Sequence, residues 1–191
     1  MRELFRDGLD WTVVTAAFVR DAAMTAAIFG FFASGWFGWA QEAPPPGWSR
    51  RLAVGSVLSI AVAVAGGVVG WQHWSDGTVF GPETSRDFGI VVGIEFGLAG
   101  LGAIILALRK RKEFIPPWVA FVVGVHLFPV AVILHYPLIH LIGALVTIAS
   151  LVAVPLARSR SWAISFATGL LTGPALLAGA SYSLLSAFTQ F

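Results

Sequence analysis

Apolar residues run along this chain in six long blocks, roughly Ala22 to Ala40, Leu52 to Trp71, Phe88 to Leu108, Pro116 to Leu134, Leu138 to Ala157 and Trp162 to Phe188, with polar residues gathered in the intervals. Each block approaches the ~20 residues that cross a ~30 Å hydrocarbon layer as a helix. The blocks are continuous and rich in Ala, Leu and Gly, whereas barrel strands are ~10-residue segments of alternating polarity. Lipid admits only structures that satisfy their own backbone, helices or closed barrels. The pattern therefore predicts an all-α, polytopic integral membrane protein, a six-transmembrane-helix bundle forming one domain over residues 1–191.

Composition agrees. The chain is 57% hydrophobic and 12% charged, with mean hydropathy +0.82, where a soluble domain keeps about a quarter of its residues charged. The lipid bilayer is the first expected partner, and a multi-pass protein of the cell membrane the expected location.

Charge adds an orientation. Of 12 basic residues, Arg50, Arg51, Arg109, Lys110, Arg111, Lys112, Arg158 and Arg160 occupy alternate gaps. Short basic loops stay cytoplasmic, so both termini are expected to be extracytoplasmic. Arg2, Arg6 and Arg20 oppose this, interleaved with Glu3, Asp7, Asp10 and Asp21. Because the basic excess follows topology, the net charge of +2 implies no nucleic-acid partner. The 8 tryptophans fall at block ends, as an interfacial aromatic belt requires. Cysteine is absent, so no disulfide, thiolate metal site or lipidated cysteine enters the picture. The start lacks the short basic segment and apolar core of a cleaved signal peptide, and the first span is expected to persist in the mature protein.

Between the spans, residues 73–87 hold Gly77, Gly81 and Pro82 and read as an outer loop. Residues 1–19 mix Leu4, Phe5, Leu9, Val13 and Val14 with charges, consistent with an interfacial helix or an extension of the first span. Gly66 with Gly70, Gly169 with Gly173, and the ridge Gly89, Gly93, Gly97 allow close helix approach. Three spans on each side of the basic central linker give the opposed halves of an inverted repeat, without sequence similarity between them.

Chemistry is confined to a few polar groups inside the apolar blocks. Glu95 lies about seven residues into the third block, where an ionised carboxylate is costly unless paired or facing a wet cavity. His126 lies midway along the fourth, and Pro129 removes the helical bond to the Val125 carbonyl, so a broken helix beside a titratable group is expected. His140 follows on the inward face of span five. Arg20, Asp21 and His73 stand at the same end. Together they predict a substrate- or ion-binding pocket in the outer half of the bundle, lined by Glu95, His126, His140, Asp21, Arg20 and His73, above an inner half sealed by small apolar residues. No two histidines share an i, i+4 spacing, and no phosphate loop, HExxH, nucleophile elbow or heme pair occurs, so neither metal nor cofactor is expected.

The pocket suits a small membrane transporter or channel binding a proton, cation or small solute. It suits also an intramembrane enzyme acting on a lipid or isoprenoid-like amphiphile, with Glu95 or Asp21 as general acid. A noncatalytic membrane subunit or sensor is the third reading. A homo-oligomer is compatible with each.

Overall fold

A computed structural model describes residues 15–189, which form six helices long and apolar enough to cross a membrane. They are α1 (Val19–Ala40), α2 (Ser49–Gln72), α3 (Pro82–Leu108), α4 (Ile115–Ile133), α5 (Pro137–Arg160) and α6 (Ile164–Thr189), with a 3-10 turn at Lys112–Phe114 before α4. The apolar blocks coincide with these helices because each backbone must close its own hydrogen bonds where no water can.

Starts and stops follow local chemistry. Proline opens α3, α4 and α5 within the first two positions, where its missing N–H costs nothing and its fixed φ suits a helix. Three helices end on residues in the left-handed region, Lys110 (φ 56), His135 (φ 50) and Ser161 (φ 54). At the end of α4 the His135 and Tyr136 amides donate back to Val132 and Ala131, the Schellman arrangement that satisfies otherwise orphaned carbonyls.

Two boundaries differ from the sequence pattern. The connection after α2 covers residues 73–81 rather than 73–87, because Gly81 is extended, Pro82 takes the first helical position and Glu83 favours the first turn. At the other end, residues 1–14 lie outside the described residues, and with them most of the stretch expected as an interfacial helix or extension. What is described there starts α1 at Val19, after Phe18 in an extended conformation (φ −134°, ψ 144°). Arg20 and Asp21 thus occupy the first helical turn. Nor is α4 broken: it runs through Pro129, as α5 and α6 run through Pro155 and Pro174.

Close approaches define the packing. A Cβ on Gly66 would meet the Ala23 carbonyl and the Ala27 amide at 2.7 Å, and one on Gly30 would meet the Ser59 carbonyl at 2.8 Å, so α1 and α2 touch backbone to backbone. Gly169 likewise seats Trp36 and Ala40, and Gly179 seats Ile142 and Phe29, joining α6 to α1 and α5. Gly124 lies against Thr147 between α4 and α5. These pairings are antiparallel. The helices form a chain of neighbours α2–α1–α6–α5–α4–α3, with α2 also touching α6. The core is built from Ala22, Ala23, Ala26 and Ala33 of α1, Ile139, Ile142 and Val146 of α5, Leu176 and Ala180 of α6, and Tyr136. Among the described residues only α4 packs substantially against α3, and no residue of α3 is fully buried by them. The connections 41–48, 109–114 and 161–163 share one end of the bundle, hereafter the basic end, since Arg50, Arg51, the Arg109–Lys112 run, Arg158 and Arg160 flank them.

Candidate functional site

Span α3 meets α4 along one stripe of half-covered residues, Phe88, Val91, Glu95, Ala99 and Gly102, spaced three or four apart as helix geometry requires. Gly102 admits the Trp118 ring, which a Cβ there would strike, and the Trp118 indole donates to the Leu98 carbonyl at 3.2 Å. Glu95 lies in the middle of this seam. Because α3 begins at Pro82, Glu95 is ~20 Å along the helix by its rise, deeper than its place in the apolar block suggested. Its Oε2 lies 3.2 Å from His126 Nε2, with the two side chains only 14% and 15% exposed.

The other ring nitrogen fixes the protonation. His126 Nδ1 is 2.7 Å from the Val123 carbonyl, and a carbonyl can only accept, so Nδ1 carries a hydrogen. A neutral imidazole then presents a bare lone pair at Nε2. The 3.2 Å approach of Nε2 and Oε2 is an ion-pair contact when one further proton makes the ring an imidazolium beside a carboxylate, and places a neutral acid beside a neutral ring when that proton sits on Glu95. Either form is net neutral, which is what a low-dielectric seam demands. The pair can thus hold one proton between two groups that lie midway along their helices.

Three of the other expected residues form a separate group at the opposite end from the basic loops. Asp21 is buried and accepts from the Thr78 hydroxyl at 2.6 Å and the Val79 amide at 2.8 Å. Its position in the first turn of α1 adds the favourable field of the helix N-terminus. Arg20 donates to the Trp74 carbonyl at 3.0 Å and lies 3.5 Å over the Trp74 ring. His73 Nδ1 bonds Asp76 at 2.6 Å. Together they strap the 73–81 connection across the head of α1. His140 instead faces Phe128 of α4, ring centres 6.0 Å apart. Among the described residues, none of Arg20, Asp21, His73 and His140 bonds to Glu95 or His126, and no three His, Asp or Glu side chains gather as metal ligands.

Sequence reasoning missed the partners. Trp74, Thr78 and Trp118 read as belt or loop residues, yet each makes a specific bond. Tyr136 is buried with its hydroxyl 2.9 Å from Ser183, and burial pushes this phenol's pKa up against the opposing hydrogen bonds of Ser183 and Ser186. Ser165, Thr168 and Thr172, at helical spacing in the sequence, are buried and continue with Ser183 and Ser186 as a hydroxyl stripe along α6. Thr168 and Ser186 bond carbonyls of their own helix. Thr172 is fully buried and its hydroxyl has no partner among the described residues.

Comparison with protein-family models, with curated proteins and with solved structures finds no match.

Proposed function

We propose that this chain is a small proton-coupled transporter of the cell membrane, oriented with its basic end in the cytoplasm and both termini outside. The single observation supporting it is the Glu95–His126 pair, two groups able to share one proton where an uncompensated charge is expensive, on a helix that among the described residues packs substantially on α4 alone. Removing the shared proton would set a carboxylate against an imidazole lone pair. Adding a second would leave an imidazolium beside a neutral acid. Each change alters the α3–α4 seam, so proton occupancy and the position of α3 are linked. The cargo is a cation or small polar solute whose passage is exchanged against that proton.

The test uses purified protein in liposomes enclosing a pH-sensitive dye, with small cations and polar solutes added in turn under an imposed proton gradient. Solute-dependent proton flux is expected from the wild type. In Glu95→Gln it should fall on the order of tenfold or more, while thermal stability in detergent stays near the wild type, because the Gln amide keeps the shape and can donate to Nε2. Undiminished flux in that variant overturns the reading. For orientation, cysteines placed at Ser75 and Ser159 should react with an impermeant reagent from outside and inside respectively. Labelling of Ser159→Cys from outside reverses the map.

A further inference from the structure

The turn at Gly47 and the first residues of α2 enclose an open recess of about 380 Å³ lined by Gly47, Arg50, Arg51 and Val54. Gly47 adopts φ +82, and nothing lies within 4 Å of where its Cβ would stand, so no side chain fills the space. Arg51 lies 5.1 Å from the Trp48 ring centre. Neither arginine forms an ion pair with a carboxylate among the described residues, not even with Glu42 of the same turn. Elsewhere at the basic end Arg111 has Glu113 at 3.9 Å. The recess thus offers two guanidiniums without a carboxylate partner among the described residues, one of them held over the Trp48 ring.

Below it runs an uncovered apolar track. Arg50 shares a helical face with Val54, Val57, Ala61, Val64 and Val68, spaced four, three, four, three and four apart, and all five are exposed. From Val54 to Val64 this face extends ~15 Å, about half of a ~30 Å hydrocarbon layer. A guanidinium pair at the head of a leaflet-long apolar track is complementary in charge and in shape to one class of molecule. We propose that Arg50 and Arg51 bind the headgroup phosphate of an anionic phospholipid whose acyl chain lies along α2. Arginine suits this role, since its planar donors match two phosphate oxygens at once. The site is independent of Glu95 and His126.

Native mass spectrometry of detergent-solubilised protein exposed to equal phosphatidylglycerol and phosphatidylcholine tests it. The wild type should retain phosphatidylglycerol preferentially, and the doubly substituted Arg50→Gln/Arg51→Gln protein should bind it on the order of tenfold more weakly or less. Arg158→Gln/Arg160→Gln, at the same end, should bind as the wild type does. Inorganic phosphate should not compete at concentrations where the lipid saturates. Absence of headgroup preference in the wild type overturns the proposal even if the double variant fails to fold. Equal losses in both variants reduce it to general surface charge, and full competition by phosphate removes the acyl track from it.

Discussion

Helices α1 and α3 present opposite solutions to life in a bilayer. The most apolar stretch of α3 has a mean hydropathy of 2.3, that of α1 only 1.2, yet half the residues of that stretch are fully buried in α1 and none in α3, whose covered side is at most half-covered. Hydropathy decides whether a helix enters lipid. It does not decide whether the helix finds protein neighbours there, because lipid chains are as apolar as leucine and leave no hydrophobic drive between helices. What gathers α2 and α6 around α1 is smallness at matched heights: Ala22, Ala23, Ala26 and Ala33 on one side, Gly66 and Gly169 on the other. The ridge Gly89, Gly93, Gly97 is as regular, but nothing lies within 4 Å of where their Cβ atoms would stand. A mostly apolar seam with two polar contacts, Glu95 to His126 and Trp118 to the Leu98 carbonyl, joins α3 to α4 instead.

Leucine in place of glycine separates the two solutions most sharply. Gly169→Leu drives a side chain into Trp36 and Ala40, and thermal unfolding in detergent should show a loss of about 3 kcal/mol or more. Gly93→Leu should change stability by less than ~0.5 kcal/mol. A comparable loss at Gly93 breaks the contrast, showing that the α3 ridge is covered in the intact assembly. Next in size, Asp21→Ala orphans the Thr78 hydroxyl and Val79 amide and should cost about 2–3 kcal/mol. It should also speed proteolysis between residues 73 and 81, and an unchanged cleavage rate would remove the strap from the tight side of the comparison. Smallest, and opposite in sign, Thr172→Val keeps the shape while deleting an unbonded buried hydroxyl, with an expected gain of about 1 kcal/mol. A loss there instead means that the hydroxyl holds a bound water or solute.

The spans were legible because a block of about 20 apolar residues has few alternatives, and their limits fell within a few residues of the helices except at Pro82. There the turn signals of Gly81 and Pro82, followed by polar residues as far as Asp87, have the composition of a loop. The combination of proline and Glu83 marks a helix start instead. Glu95 and His126 stood out for the same reason as the spans: polar groups at depth need each other. The pairing of Asp21 with Thr78 and Val79 joins positions 57 and 58 residues apart. Such contacts depend on the order of helices around the bundle, which short loops restrict but do not specify. That is also why the residues of one expected pocket stand as an acid–histidine pair, a loop strap and a histidine against Phe128.

The one-sided attachment of α3 bears on how the chain is made. Residues leave the ribosome in order, and His126 follows Glu95 by roughly 30 residues, a wait of about 2–6 s at ordinary synthesis rates. Throughout that interval the third helix lacks the partner that its acid has in the folded protein, which among the described residues comes from α4. Nascent α3 must therefore remain at the insertion machinery, or enter lipid with Glu95 protonated, until α4 arrives and the two leave as a hairpin. Chains truncated before His126 should be retained by that machinery, and their retention should vanish when Glu95 is replaced by Leu.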